Sequence, residues 1–165
     1  MDTYKFSIKI DAPRERVWQV MLDSKTYQKW TSEFMEGSYY EGSWEKGKEI
    51  RFLGPGDGGM RAIIAENRPH EFLSIKHIAV IEATSSAVEN QESPSSDWDY
   101  ENYTLLQSNG GTELIVEVDG DAEYKEWLHE TWPKALLKLK QLCEKHTHGD
   151  NGSNLGGLNK DLVIY

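Results

Sequence analysis

Few side chains in this sequence are placed to do chemistry, and His77 is the most informative of them. In the alternating segment FLSIKHIAVIE, His77 shares the parity of Leu73 and Ile75, so its ring is expected to point inward. A neutral imidazole offers one donor and one acceptor, which can orient a bound carbonyl or hydroxyl. Tyr103 can supply a second polar group nearby. A core histidine satisfied by a neighbour is nevertheless preferred to a catalytic base.

A second pair, His129 and Glu130, stands near the start of the last predicted helix. Two such groups can do acid–base work if their pKa values lie near neutrality. The segment KEWLHETW, however, carries its charges at ordinary helix-surface spacing, which favours a solvated face.

The remaining patterns do not form sites. His146 and His148 stand beside Asp150, but the Gly/Asn-rich tail around them lacks the further ligands of a metal site. The run GPGDGG lacks the Lys-Ser/Thr ending and the helix of a phosphate loop, so a hairpin turn explains it. Cys143 lies on an apolar helical stripe, as an inert core thiol does. We therefore predict no metal and no cofactor and assign no catalytic residue.

Composition restricts the class of protein. The chain has 165 residues, 38% of them hydrophobic, and a net charge of −10, which fits one domain. It has no basic run, so we expect neither nucleic acid nor an anionic membrane surface as a partner. A single cysteine allows no intrachain disulfide and is typical of the cytoplasm. The charged start MDTYKFSIKI is not a secretory signal, and no apolar run approaches the roughly 20 residues of a membrane span.

The amino-terminal segment predicts one strand and two short helices. The stretch Tyr4–Ile10 alternates apolar and polar residues, as a half-buried strand does. Asp11 or Ala12 can cap the helix that follows, with Pro13 in its first turn. Ser24 can cap a second short helix. One face of the first helix is apolar, comprising Val17, Trp18, Met21 and Leu22.

Six short strands and a long helix follow. The Gly-rich PGDGG joins KEIRFLG to MRAIIAEN as a hairpin, and the polar stretch Ala83–Asp97 predicts an exposed loop. From about Ala122 to Glu144 the apolar period is helical, and Pro133 marks either a bend or the start of the regular helix. We predict a domain over residues 1–146 and a flexible tail over 147–165, in which LVIY either docks as a strand or stays loose. Segregated helices and sequential strands predict an α+β fold, a curved antiparallel sheet wrapped around the last helix.

Five segments resemble the START-like, helix-grip superfamily of birch-pollen-allergen-like proteins and polyketide cyclases. They are IKIDAPRERVWQVMLDSKTYQKW, GSWEKGKEIRFLGPGDGG, ENRPHEFLSIKH, SNGGTELIVEV and WPKALLKLKQLCE, and they span roughly Tyr4 to Glu144. The branch that they resemble most is the homologues of the C-terminal domain of the activator of the ninety-kilodalton heat-shock protein ATPase. The resemblance implies about seven antiparallel strands around a long C-terminal helix, two short helices after strand 1, and an enclosed cavity. The acidic stretch Ala83–Asp97 and the tail from Thr147 depart from the family pattern.

The resemblance implies three functions. The first is binding of a small hydrophobic or lipid-like ligand between the sheet and the last helix. The second is a chaperone-associated role in the stress response, with exposed acids such as Glu89, Glu92 and Asp97 at the contact. The third, ranked lowest, is a cyclase- or hydrolase-type enzyme that uses His77 or His129. A monomer or a homodimer is expected in each case.

The candidate ligand-binding residues come from the inward face of the sheet and from the helices near the expected cavity. Alternating apolar residues are mostly core in any half-exposed sheet, so most of this face is expected to pack. Trp18 is expected to be structural, whereas Tyr27 and Trp30 lie where the family has its cavity entrance. In the family Trp30 is more often a structural tryptophan than a ligand contact. The candidates are Trp30, Phe34, Phe52, Met60, Ile75, His77, Tyr103 and Trp127.

Overall fold

The computed structural model describes residues 2–83, 92–145 and 162–164, with the backbone alone at 95–98 and 162–164. Its strands form one sheet in the order β2-β3-β4-β5-β6-β7-β1-β8, and every neighbouring pair is antiparallel. The predicted α+β fold is thereby confirmed, with two short helices after the first strand and a long helix after the seventh. The elements are β1 Asp2–Ile10, α1 Arg14–Leu22, α2 Ser24–Thr31, β2 Tyr39–Gly42, β3 Glu49–Leu53, β4 Gly59–Arg68, β5 Phe72–Ile81, β6 Glu92–Ser108, β7 Gly111–Gly120, α3 Lys125–Lys145 and β8 Leu162–Ile164.

In each of the two short helices the N-cap lies one residue away from a position predicted for it. Pro13 itself occupies the N-cap of α1, and its carbonyl accepts from the backbone N–H groups of Arg16 and Val17 at 3.0 and 3.1 Å. Asp23, rather than Ser24, caps α2 by accepting from the backbone N–H of Lys25 at 3.0 Å. The backbone of Asp23 is extended, so this residue is both the C-cap of α1 and the N-cap of α2.

The predicted loop Ala83–Asp97 is wrong over its second half, where residues 92–97 continue β6. Glu92 pairs with Ile81 and Pro94 with Ala79, so the polar stretch extends a hairpin. A register shift between His77 and Ala79 accommodates the irregular part of the ladder. Residues 92–97 lack the alternation of apolar and polar residues that predicts a strand, because this part of β6 has no apolar face. Residues 84–91, including Glu89, lie outside the described part.

The long helix α3 runs from Lys125 to Lys145 with Pro133 inside it, so the regular helix does not begin at Pro133. A proline inside a helix removes one backbone hydrogen bond. Burial on both sides of Pro133 offsets that loss, because α3 is clamped against the sheet and the short helices. The buried residues of α3 are Leu128, Thr131, Trp132, Ala135, Leu136, Leu139, Lys140 and Cys143.

The core lies between the sheet and the three helices, as predicted from alternation. Alternation along the strands assigns eleven residues to the inward face of the sheet. Two of them, Phe52 and Met60, are partly exposed, and the other nine are buried. The buried ones are Ile50, Ala62, Ile64, Leu73, Ile75, His77, Tyr103, Leu105 and Leu114. Trp30 is locked by its indole N–H, which donates to the carbonyl of Met21 at 3.1 Å. Trp18 is half-buried and packs edge-on against His70, in keeping with a structural role.

The end of the chain contributes a short edge strand. Of the predicted tail, Leu162–Ile164 docks beside β1, with Val163 opposite Ser7. Residues 146–161, and with them His146, His148 and Asp150, lie outside the described part. Across the residues that the structure describes, the helices are too short or too polar to span a membrane.

Candidate functional site

A cavity of about 490 Å³ opens between the sheet and the helices. This volume falls within the range of about 300–1,000 Å³ that ligand pockets have. Its walls come from α2, the segment between α2 and β2, the β3–β4 hairpin, the middle of β5 and β6, and the first half of α3. The space therefore lies where the helix-grip architecture was expected to leave it, at the amino-terminal end of α3.

The structure brings seven of the eight candidate residues to this cavity. These are Trp30, Phe34, Phe52, Met60, His77, Tyr103 and Trp127. Ile75 is the exception, because it is 1% exposed and belongs to the packed core, where neighbouring side chains fill the space. Contact between these residues and a ligand stays a prediction.

Aromatic rings form much of the wall. The Phe34 ring lies 4.7 Å from that of Trp132 and 5.9 Å from that of Trp127, measured between centroids. Tyr27 stacks on Phe52 at 6.2 Å. Trp127 is 48% exposed and thus marks the rim of the cavity. Such rings give a large apolar contact area with little conformational freedom to lose.

A polar cluster of three side chains, Glu101, His77 and Tyr103, lies in this wall. The Glu101 carboxylate accepts from the Tyr103 hydroxyl with one oxygen, and its other oxygen lies 3.1 Å from His77 Nε2. Glu101 and Tyr103 are two residues apart on β6 and so share a face. His77 lies on β5, diagonally across from Glu101, which pairs with Ile75. Register alone thus brings the three groups together.

Burial keeps the Tyr103 hydroxyl of this cluster protonated. Desolvation raises the pKa of Tyr103 well above its ordinary value, and the nearby Glu101 carboxylate raises it further. Tyr103 therefore remains a donor at neutral pH. With Glu101 ionised, the carboxylate can only accept, so His77 Nε2 carries the proton. When His77 is neutral its Nδ1 is an acceptor, and this atom is buried without a hydrogen-bond partner among the described residues.

The sequence-based analysis missed Glu101. In WDYENYTLLQS an acid among polar residues looks like part of a solvated strand face. The available signal was its parity with Tyr103, which placed both on the inward side. The Thr31 and Ser38 hydroxyls, 2.6 Å apart, were also missed because a turn brings them together at the cavity wall.

The other candidate groups lie elsewhere or are engaged. His129 packs edge-on against the rings of Tyr4 and Phe6, with centroids 5.7 and 5.6 Å away, and is not part of the cavity wall. Glu130 is exposed on α3. The two histidines of the enzymatic hypothesis therefore do not share a site.

Cys143 is fully buried, and burial raises the pKa of its thiol to about 12. A thiol in this environment stays protonated at neutral pH and is a poor nucleophile. Of the acids considered for a partner surface, Glu92 pairs with Arg61 at 2.6 Å. Only the backbone of Asp97 is described, within β6.

Fold and site together define a helix-grip domain with a largely aromatic cavity, in which β5 and β6 contribute the polar cluster. The family model described as Activator of Hsp90 ATPase homolog 1-like protein matches residues 11–144. The chain belongs to this family. A comparison with curated proteins found no match.

Several solved structures share the fold. Protein MLL2253 from Mesorhizobium loti is 17% identical with a TM-score of 0.66, covering 87% of this chain and 98% of its own. The Aha1 dimer from Colwellia psychrerythraea is 17% identical with a TM-score of 0.64, covering 87% and 97%. CalU16 from Micromonospora echinospora is 16% identical with a TM-score of 0.60, covering 88% and 78%. At these identities the likeness establishes the fold.

Proposed function

We propose that this protein binds a small hydrophobic or lipid-like ligand in the cavity between the sheet and α3. The observation that carries the proposal is the cavity of about 490 Å³, walled by aromatic rings and holding one polar cluster. Apolar walls with a few fixed polar groups are the usual design of a small-molecule site. A packed core would have filled this space with side chains, as it does around Ile75.

The apolar wall can supply a useful affinity. A ligand that buries about 200 Å² of apolar surface gains about 5 kcal/mol at roughly 25 cal/mol per Å². Losses of translational freedom reduce that gain, while contacts with ring faces add to it. A net gain of about 5 kcal/mol corresponds to a dissociation constant on the order of 100 micromolar for a ligand of this size.

The proposal is tested by a substitution that fills part of the cavity with a larger side chain. Met60→Trp places an indole in the cavity wall, whereas Leu106→Trp adds the same bulk at a side chain that is 45% exposed and outside the cavity. Binding of the neutral fluorescent probe N-phenyl-1-naphthylamine should weaken at least about tenfold in Met60→Trp and remain unchanged in Leu106→Trp. Equal probe affinity in both variants would remove the proposal. Mass spectrometry of small molecules that co-purify with the native protein then identifies the ligand.

The family supports a second candidate, a chaperone-associated role. The matching family is described by its likeness to an activator of the Hsp90 ATPase, and one similar fold is that of an Aha1 dimer. Under this proposal the protein acts in the cytoplasm as a monomer or homodimer and changes the ATPase rate of a chaperone. An unchanged ATPase rate, together with a pull-down that recovers no chaperone, would exclude it. Sedimentation of the purified protein distinguishes monomer from homodimer.

A further inference from the structure

The cavity has an unbalanced charge. Among the described residues that line it, Glu101 is the only carboxylate, and there is no lysine or arginine. The Glu101 side chain is 25% exposed, so it is partly withdrawn from water. Its two partners, Tyr103 and His77, are both uncharged when His77 is neutral. The interior therefore presents a negative group to any ligand, with no fixed cation to compensate.

Glu101 also retains hydrogen-bonding capacity. A carboxylate has about four lone-pair sites, and the two hydrogen bonds from Tyr103 and His77 occupy one site on each oxygen. These bonds hold the carboxylate in a fixed orientation, because they come from two different strands. The remaining sites can only accept, so they are complementary to a donor on the ligand.

We propose that the ligand is a hydrophobic molecule whose polar end donates a hydrogen bond, a hydroxyl or an ammonium, and that this end binds Glu101. This inference rests on the proposed ligand-binding function. The same carboxylate discriminates against ligands that end in a carboxylate or phosphate. The shared chemistry of the two permitted head groups is an N–H or O–H donor at the end of an apolar body.

Electrostatics sets the size of this discrimination. Two like charges about 5 Å apart at an effective dielectric constant of about 20 repel each other enough to weaken binding on the order of a hundredfold. An ammonium gains the corresponding attraction. A hydroxyl gains one charge-assisted hydrogen bond without a net charge.

The test uses three ligands with one apolar body, namely decanol, decylamine and decanoate, at neutral pH. Binding is followed by tryptophan fluorescence, since Trp30, Trp127 and Trp132 all line the cavity. Decanol and decylamine should bind, and decanoate should bind about a hundredfold more weakly. Because the chain has a net charge of −10, decylamine also binds elsewhere on the surface, and only the decylamine binding that Met60→Trp weakens at least about tenfold is assigned to the cavity.

Two variants test the role of Glu101 itself. Glu101→Gln keeps the shape and removes the charge, so the discrimination against decanoate should fall below about tenfold. A circular dichroism spectrum that matches that of the unchanged protein guards against a loss of discrimination through misfolding. Glu41→Gln, at an exposed position on β2, should behave as the unchanged protein.

The outcomes separate the two proposals. If none of the three ligands, nor the neutral probe, binds, the ligand-binding function itself is refuted. If ligands bind but decanoate binds as tightly as decanol, or Glu101→Gln leaves the discrimination intact, the role of Glu101 is refuted while ligand binding stands. Comparison of decanol with decylamine then shows which donor the cavity prefers.

Discussion

Removal of one carboxylate at the end of α3 should destabilise the whole domain. Glu144 accepts from the ammonium of Lys140 at 2.6 Å and from the backbone N–H of Asp11 at 2.7 Å. Lys140 is 4% exposed and also donates to the carbonyl of Lys9 at 2.9 Å. This network ties the last turns of α3 to the junction between β1 and α1. Glu144→Ala breaks both bonds of the carboxylate at once.

The cost follows from the burial of Lys140. Removing one partner of a buried ion pair typically costs about 3–5 kcal/mol, because the remaining charge stays buried without its counter-ion. Here the cost is lower, since the Glu144 side chain is 19% exposed and Lys140 keeps its bond to the Lys9 carbonyl. We expect a loss of about 2–3 kcal/mol in the free energy of unfolding. For a domain of this size that loss lowers Tm by roughly 5–10 °C.

Chemical unfolding followed by circular dichroism measures this difference. Glu130→Ala is the matched control, because Glu130 is exposed on the same helix. Lys140→Met in the Glu144→Ala background should recover stability, since it removes the buried ammonium. If the free energies of unfolding of Glu144→Ala and Glu130→Ala differ by less than about 0.5 kcal/mol, the network does not stabilise the end of α3, and the reasoning fails.

Two further predictions concern buried tyrosines and the β3–β4 hairpin. Burial raises the pKa of both Tyr27 and Tyr103 above the ordinary value of 10.0, so their contribution to stability is complete below that pH. Above that pH the unfolded chain binds fewer protons than the folded chain. The free energy of unfolding should therefore fall by about 1.4 kcal/mol per pH unit for each tyrosine. Tyr103→Phe should lower this slope by about 1.4 kcal/mol per pH unit in alkaline unfolding titrations, and an unchanged slope would contradict the assignment. Gly59→Ala should destabilise by more than about 2 kcal/mol in urea, because its Cβ would lie 1.8 Å from the Phe52 carbonyl oxygen. Gly110→Ala, also at positive φ but in open space, should cost only about 1 kcal/mol, and equal costs would refute the steric argument.

The fold was predictable because its signals are local and repeated. Alternation in Tyr4–Ile10 predicted a strand with an inward apolar face, and Phe6, Ile8 and Ile10 are fully buried. The helical period after Ala122 predicted α3. The errors fall where local signals compete or are missing, as at the two helix caps and in the polar half of β6.

The apolar wall of the site was predicted from the sequence, but its charged residue, Glu101, was missed. Trp30, Phe34 and Trp127 were chosen because they lie on or next to the helices that the family resemblance places near the cavity. Glu101 was missed because a carboxylate is assigned to solvent unless its partners are known. Those partners come from β5 and from its own strand, and no sequence spacing records the β5–β6 register that joins them.

The sequence by itself determined the order of the elements, the inward face of each strand and the apolar stripe of α3. These follow from the periods of strands and helices, which are properties of the chain over a few residues. Only the tertiary structure decided that a space remains between α3 and the sheet, and that Glu101, His77 and Tyr103 share it. A cavity is the difference between the volume that the backbone encloses and the volume that side chains fill, so it depends on the packing of every element at once.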